Sequence, residues 1–213
     1  MPDAADNVAY PPPTLGSWSV QATWLSLHDR YITVRSETLR APDGRLVTPF
    51  HILDYSPWVT TFALTRDLQV LLVEQYRHGI GAWTQEFPAG AAEPGDGDMQ
   101  AAAVREVAEE TSFGAGRWYD LGSTPVNAST HSNRVHFWLA VDLVSVALDK
   151  QEGEDVSVRA VPLQRFAQAL REGTFEPPAL HMALLQRLAS RLPALLTAYD
   201  DHAVRAVAAA LPG

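Results

Sequence analysis

Within the stretch Arg105-Glu106-Val107-Ala108-Glu109-Glu110, three carboxylates and a guanidinium fall close together. On a helix, at about 100° per residue, Glu106 and Glu110 stand one turn apart with Glu109 beside them. All three then project from the side that carries Arg105, and Ala101, Val104, Val107, Ala108 and Thr111 share the other. The ordinary reading of such a pattern is the solvated face of an amphipathic helix. Electrostatics argues against it. Like charges at i,i+4 cost a few tenths of a kcal/mol per pair without a cation, and Arg105 offsets only part of that. A hard divalent cation removes the difficulty: Mg²⁺ takes oxygen ligands, often one or two carboxylates plus substrate phosphates, and carboxylates beside a cation stay ionised. The expected ion is Mg²⁺, with Mn²⁺ as a substitute.

The elements that must position these groups follow from pattern. Pro94 to Gly97 closes a Gly/Pro-rich loop beginning at Pro88, and a helix is predicted from about Asp98 to Thr111, capped by Asp96 or Asp98. The loop is entered through Glu86-Phe87-Pro88-Ala89-Gly90, a strand end whose backbone carbonyls can face the same site. Upstream, the short apolar runs Trp58 to Leu64 and Leu68 to Gln75 flank a turn at Thr65-Arg66-Asp67 and read as buried strands. Arg134 to Val144 is another strand and Val156 to Val161 a shorter one. Three helices are predicted after it, Pro162 to Arg171, Pro178 to Ser190 and Pro193 to Leu211, each with proline near its start.

Nearer the N-terminus, Tyr31 to Leu39 and Arg45 to Asp54 flank the turn signal Pro42-Asp43-Gly44, which predicts a hairpin. The expected organisation is a loose arm over 1–16, a small antiparallel β unit over 17–57, and an α/β domain over 58–213 that ends in the helices. Strands with interspersed helices imply an α/β or α+β sandwich.

The bulk of the chain excludes several functions. It has 213 residues, no cysteine and a net charge of −9. Disulfides and thiolate metal sites are therefore ruled out, and the acidic balance argues against nucleic acid or an anionic membrane as partner. No apolar stretch approaches membrane-spanning length. Asp3 and Asp6 stand where a signal peptide would need basic and apolar residues, so a cytoplasmic protein is expected. No glycine loop fits a P-loop or dinucleotide fingerprint, and Gly-x-Ser-x-Gly is absent. His136, on an apolar strand, reads as a packed histidine. Trp24, Trp58 and Trp83 could stack on a base but are better explained by packing.

Pro88-Ala89-Gly90 through Glu93-Pro94-Gly95 to Arg105-Glu106-Val107-x-Glu109-Glu110-Thr111 resembles the box of the Nudix hydrolases, a glycine followed by R-E-U-x-E-E with an apolar residue at U. The resemblance implies an α/β/α sandwich around a mixed sheet and hydrolysis of a nucleoside diphosphate linked to another moiety. It also implies metal binding by Glu106 and Glu110, assistance by Glu109, orientation of the cluster by Arg105, and a further ligand from the Ala89 carbonyl. The box departs from the family pattern in three ways: one extra residue between Gly90 and Arg105, Asp96-Gly97-Asp98 in place of the first glutamate, and Ser112 where a glycine usually follows Glu-Glu-Thr.

Val73-Glu74-Gln75-Tyr76-Arg77-His78 followed by Glu86 to Gly90 is similar to the ADP-ribose pyrophosphatase branch. That branch implies a homodimer formed with the N-terminal β unit, a substrate contact at Arg77, and Glu86 near the metal site. Read without that context, Arg77 is as easily a surface arginine at a strand end. Glu152-Gly153-Glu154-Asp155-Val156 is similar to a loop that supplies the branch's general base. Glu152 and Glu154 are the two candidates, and a plain hydrophilic loop is the alternative. His131 and Arg134 could touch phosphate or sugar, or could be turn residues leading into the next strand; the stretch around them lacks the carboxylate many relatives carry. The implied reaction converts ADP-ribose, or a related nucleotide sugar, to AMP and a sugar phosphate. The rival is a Nudix-fold module that binds a nucleotide sugar without turning it over.

Overall fold

The structure, a computed structural model, describes residues 16–147 and 156–211 and divides after Asp54 into two compact units. The first is a three-stranded antiparallel sheet in the order β1 (Ser19–His28), β2 (Thr33–Arg40), β3 (Leu46–Asp54). The β2–β3 hairpin closes at Pro42-Asp43-Gly44, with the Gly44 N–H donating to the Ala41 carbonyl (2.9 Å) and Gly44 in the left-handed region at φ +88°. From the middle strand Arg35 reaches Asp54 on β3 (Nε to Oδ2, 2.9 Å) and Glu37. Every residue of β1 is exposed, including Val20, Trp24, Leu25 and Leu27.

The second unit is built on an eight-stranded mixed sheet. Its strands are β4 (Trp58–Thr65), β5 (Gln69–Arg77), β6 (Ala82–Glu86), β7 (Ala89–Ala91), β8 (Phe113–Gly114), β9 (Arg117–Pro125), β10 (Arg134–Ser145) and β11 (Ser157–Pro162). The central path runs β11-β5-β4-β10-β8, with β6 on β5, β7 on β4 and β9 on β10. Among the described residues only β4 and β10 pair in parallel. Strand β9 is absent from the expectation above. Its alternation is interrupted where Gly122 takes φ +90°, beside a register shift against β10.

Successive side chains of a strand point to opposite faces, and both faces of this sheet are covered. Phe62, Leu64, Val70, Leu72, Phe137, Leu139 and Val141 join the core formed with α2 (Leu163–Glu172), α3 (Ala179–Ala198) and α4 (His202–Ala210). Their neighbours Ala63, Leu71, Ala140 and Trp138 face α1 (Met99–Thr111) through Val107, Ala102 and Ala103. The result is an α/β/α sandwich.

Two expectations about helices are corrected. The break before Pro193 does not occur, and α3 runs through that residue. Proline removes one N–H from the ladder, but Leu184, Leu188, Leu192 and Leu195 keep a continuous buried stripe at helical spacing. The chain turns instead at Tyr199-Asp200, and Asp201 restarts it by accepting from the N–H groups of Ala203 (2.8 Å) and Val204 (3.3 Å). Asp201 also accepts from Tyr119 Oη (2.5 Å) and Arg117 Nε (2.7 Å), which ties α4 to β9. In α1 the buried residues are Ala102, Ala103, Val107 and Thr111, whereas Ala101 is exposed. The helix is thus rotated relative to the expected apolar face. Glu106 and Glu110 lie half-buried along the edge of the packed stripe, and only Glu109 faces solvent.

Candidate active site

Helix α1 starts at Asp98, whose carboxylate accepts the Ala101 N–H (2.7 Å). Asp96, the other candidate cap, does something different. It accepts a two-pronged contact from Arg105 (Nε to Oδ1, 2.8 Å; Nη2 to Oδ2, 3.1 Å) and also the Glu93 N–H (2.7 Å). Arg105 holds its own loop as well, through the Ala91 carbonyl (2.9 Å), and reaches Glu106 (3.0 Å) and Glu109 (2.8 Å) from Nη1. The hydrogen bonds to Asp96, foremost, and those to Glu109 keep the guanidinium protonated well beyond the ordinary range, and Arg105 in turn holds Asp96 below its usual value. Asp96 thereby anchors the arginine from the loop, where the box departs from the family pattern.

The carboxylates meet the loop on the other side of the helix. Strand β7 is fixed to β4 in the register Thr60↔Ala89, Val59↔Gly90 and Trp58↔Ala91, with the Thr61 N–H donating to the Pro88 carbonyl (3.0 Å). Glu110 Oε2 accepts the Ala89 N–H (3.0 Å). Glu106 lies over Gly90, and a Cβ on that glycine would collide with its carboxyl group. Two half-buried carboxylates therefore converge on the backbone of one three-residue strand.

Such a donor set suits a hard cation. Among the described residues no three His, Asp or Glu side chains form a metal cage by themselves. An ion held by Glu106 and Glu110 would complete its shell from backbone, water and substrate phosphate, which is the habit of Mg²⁺.

Ala89, Gly90 and Ala91 also line a cleft of about 920 Å³, a size suited to a small-molecule ligand. Trp58, Arg77, Ile80, Pro178, Leu180 and His181 contribute to its walls. Arg77, at the end of β5, grips Glu86 at the end of β6 (Nε to Oε1, 2.8 Å; Nη2 to Oε2, 2.6 Å). Burial alone would raise the Glu86 carboxyl, but hydrogen bonds from Arg77, then His181 and Thr84, hold it well below the ordinary carboxylate range.

The structure thus brings Arg77, Glu86, Ala89, Arg105, Glu106, Glu109 and Glu110 to one end of the sheet. His131 and Arg134 do not line the cleft. The His131 N–H closes a turn onto the Asn127 carbonyl (2.8 Å) and its ring stacks on Tyr55 (5.5 Å), while Arg134 binds Ser123 on β9. Glu152 and Glu154 lie outside the described residues. Sequence reasoning missed His181, which hydrogen-bonds Glu86 from 95 residues away and leaves no local signal on its apolar helix.

The fold is an α/β/α sandwich that brings two half-buried carboxylates to a strand lining a cleft. Residues 55–182 match the family model described as NUDIX domain, and the chain belongs to that family. It is a Nudix hydrolase related to ADP-ribose pyrophosphatases. It is 25% identical over 142 residues to an ADP-ribose pyrophosphatase of Mycobacterium tuberculosis, covering 66% of this chain and 68% of the relative. It is 28% identical over 138 residues to one of Bacillus subtilis, covering 63% and 73%. A protein named methanol dehydrogenase activator, from Bacillus methanolicus, is 26% identical over 145 residues, covering 67% and 77%. The fold matches a solved structure described as an ADP compounds hydrolase, with TM-score 0.72, 22% identity, and coverage of 86% of this chain and 98% of that one. Hydrolases of this family generally use divalent metal ions. No helix among the described residues is long and apolar enough to cross a membrane.

Proposed function

We propose that the chain hydrolyses the diphosphate bond of an ADP-sugar, ADP-ribose first, to AMP and ribose 5-phosphate, with Mg²⁺ as the metal and Mn²⁺ as an alternative. The observation that carries this reading is that Glu106 and Glu110 converge on the same strand, Ala89–Ala91, that lines the cleft holding Arg77. A diphosphate needs positive charge on its oxygens and an ionised water as nucleophile. The metal, when bound, supplies the first and lowers the pKa of the second. Glu106 and Glu110, with the Ala89 carbonyl, would hold it, assisted by Glu109, and Arg105 would keep these carboxylates aligned. Arg77 would bind a non-bridging phosphate oxygen. The water's oxygen attacks one phosphorus, the P–O bond to the other phosphate breaks, and a carboxylate takes the water's proton. Glu152 or Glu154 is the proposed base, on the likeness of Glu152-Gly153-Glu154-Asp155-Val156 to the stretch that supplies it in the ADP-ribose pyrophosphatase branch.

The test is AMP release from ADP-ribose and Mg²⁺, followed by chromatography. Glu110→Gln is expected to lower turnover by about 10²-fold or more, the loss of roughly 3 kcal/mol of charge stabilisation. Tight binding of ADP-sugars with no AMP from any of them would instead identify a binding module. We also propose that the N-terminal unit, over about 17–57, mediates a homodimer, supported by the exposed apolar residues of β1, and that the enzyme works in the cytoplasm, supported by the lack of cysteine.

A further inference from the structure

Four hydrogen bonds converge on the Glu86 carboxylate. Oε1 accepts from Arg77 Nε (2.8 Å) and Thr84 Oγ1 (2.5 Å), and Oε2 accepts from Arg77 Nη2 (2.6 Å) and His181 Nε2 (2.9 Å). A carboxylate offers about four lone-pair sites, so Glu86 has none left for a metal or a substrate. Its side chain is only 2% exposed, as is that of His181, whereas the Arg77 side chain is 44% exposed in the cleft wall. The arginine is therefore the end of this chain of contacts that a ligand can reach.

The other end is a buried histidine with a partner on each ring nitrogen. An ionised carboxylate only accepts, so the imidazole carries its proton on Nε2. The other ring nitrogen, Nδ1, faces Thr60 Oγ1 at 3.3 Å. Thr60 itself is fully buried on β4, in register with Ala89. The polar chain thus runs Thr60–His181–Glu86–Arg77, from the strand beside the carboxylate site into the cleft. Packing does not require it: Phe87 lies 6.0 Å from the His181 ring, and an apolar side chain of the same volume would fill this place without desolvating polar groups.

We propose that His181 is a positioning residue for Arg77, acting through Glu86 to aim the guanidinium at an anionic group of the substrate. The inference rests on the reading that the cleft takes a diphosphate. It implies that Glu86, too, works by holding Arg77 and not by touching substrate.

The test is a double-mutant cycle read by calorimetric binding of ADP in the presence of Mg²⁺, alongside KM and kcat for ADP-ribose. His181→Leu is expected to weaken ADP binding about tenfold, the scale of losing a supporting hydrogen bond behind a ligand-binding group, and to raise KM with kcat changed less. His181→Gln, whose amide can donate to Glu86, should restore most of the affinity. In an Arg77→Ala background His181→Leu should have no further effect, because the group it positions is gone. Should His181→Leu lose its cooperative thermal transition, Thr60→Val carries the same cycle, with an expected loss of about threefold that also vanishes without Arg77. A folded His181→Leu protein with unchanged ADP affinity, or effects that simply add to those of Arg77→Ala, would overturn the proposal, as would a wild-type protein that does not bind ADP. Binding of ADP without AMP release from ADP-ribose would overturn only the substrate assignment.

Discussion

At Gly90 the constraint is space and not backbone conformation, because the Glu106 carboxyl occupies the volume a Cβ would need. That carboxyl is the far end of a flexible side chain and is paired with Arg105 (3.0 Å), so it can shift to admit a Cβ, but not while also serving as a ligand. Gly90→Ala is accordingly expected to lower turnover by roughly tenfold or more while shifting the unfolding temperature little, since a misplacement of about 1 Å at a reacting centre is costly. Activity assays paired with a thermal melt check it. Unchanged turnover would remove Glu106 from the site. Glu86 makes the opposite prediction, an effect on stability with a definite pH signature. Its folded-state pKa lies below the ordinary value of 4.5, so its contribution is complete above that value and fades as pH falls below it. Glu86→Gln should cost about 2–3 kcal/mol near neutrality, the scale for uncoupling hydrogen-bonded buried charges. The gap between wild type and variant should narrow in denaturant titrations below about pH 4.5. A gap that is flat down to pH 3 would mean the ion pair contributes nothing.

Helix α1 shows what pattern can and cannot convey at the scale of an element. Its C-terminus turns at Ser112, which adopts φ +58° and donates its N–H to the Ala108 carbonyl. A non-glycine residue there is strained by about 1 kcal/mol or more, and this is the place where the family pattern has glycine. Ser112→Gly is expected to stabilise the protein by about 0.5–1 kcal/mol, a rise of roughly 1–4 °C in a melt. No rise would show that the turn is relaxed as it stands. The helix, a cap at Asp96 or Asp98 and the run of glutamates were legible in the sequence, because capping and periodicity are local, though which aspartate caps was not. The rotation of the helix was not. Alanine at 101, 102 and 103 permits several buried faces, and the face chosen depends on what Ala63, Leu71 and Ala140 present from the sheet. Pro193 misled for a related reason: a proline's local preference yielded to a leucine stripe whose value lies in distant contacts. His181 and the pairing of Asp96 with Arg105 were illegible because one partner is remote in the chain and the other looked like a helix cap.

At the scale of the whole molecule, the small N-terminal sheet carries Val20, Trp24, Leu25 and Leu27 exposed along a single strand. Such a strand invites pairing with another chain. If the proposed dimer uses it, Leu25→Asp should convert the protein to a monomer in light scattering while leaving the melt of the larger unit intact. A protein that is monomeric before substitution, or still dimeric after it, would remove this strand from the interface. The mixed sheet was foreseeable in outline from its apolar runs, but its order was not, since β4 and β10 come from separate thirds of the unit.

That parallel pairing also bears on when the site comes into existence. Trp58 lies beside Val135, and Thr60 meets His181 across 121 positions of chain. Contacts so far apart close slowly, because loop entropy is spent before they form. The helix with its glutamates is complete long before His181 and the Glu176-Pro177-Pro178 segment that line the cleft have been made. A growing chain on the ribosome therefore carries its acidic residues without a pocket to use them, and competence should arrive late and abruptly, once α3 has emerged and docked.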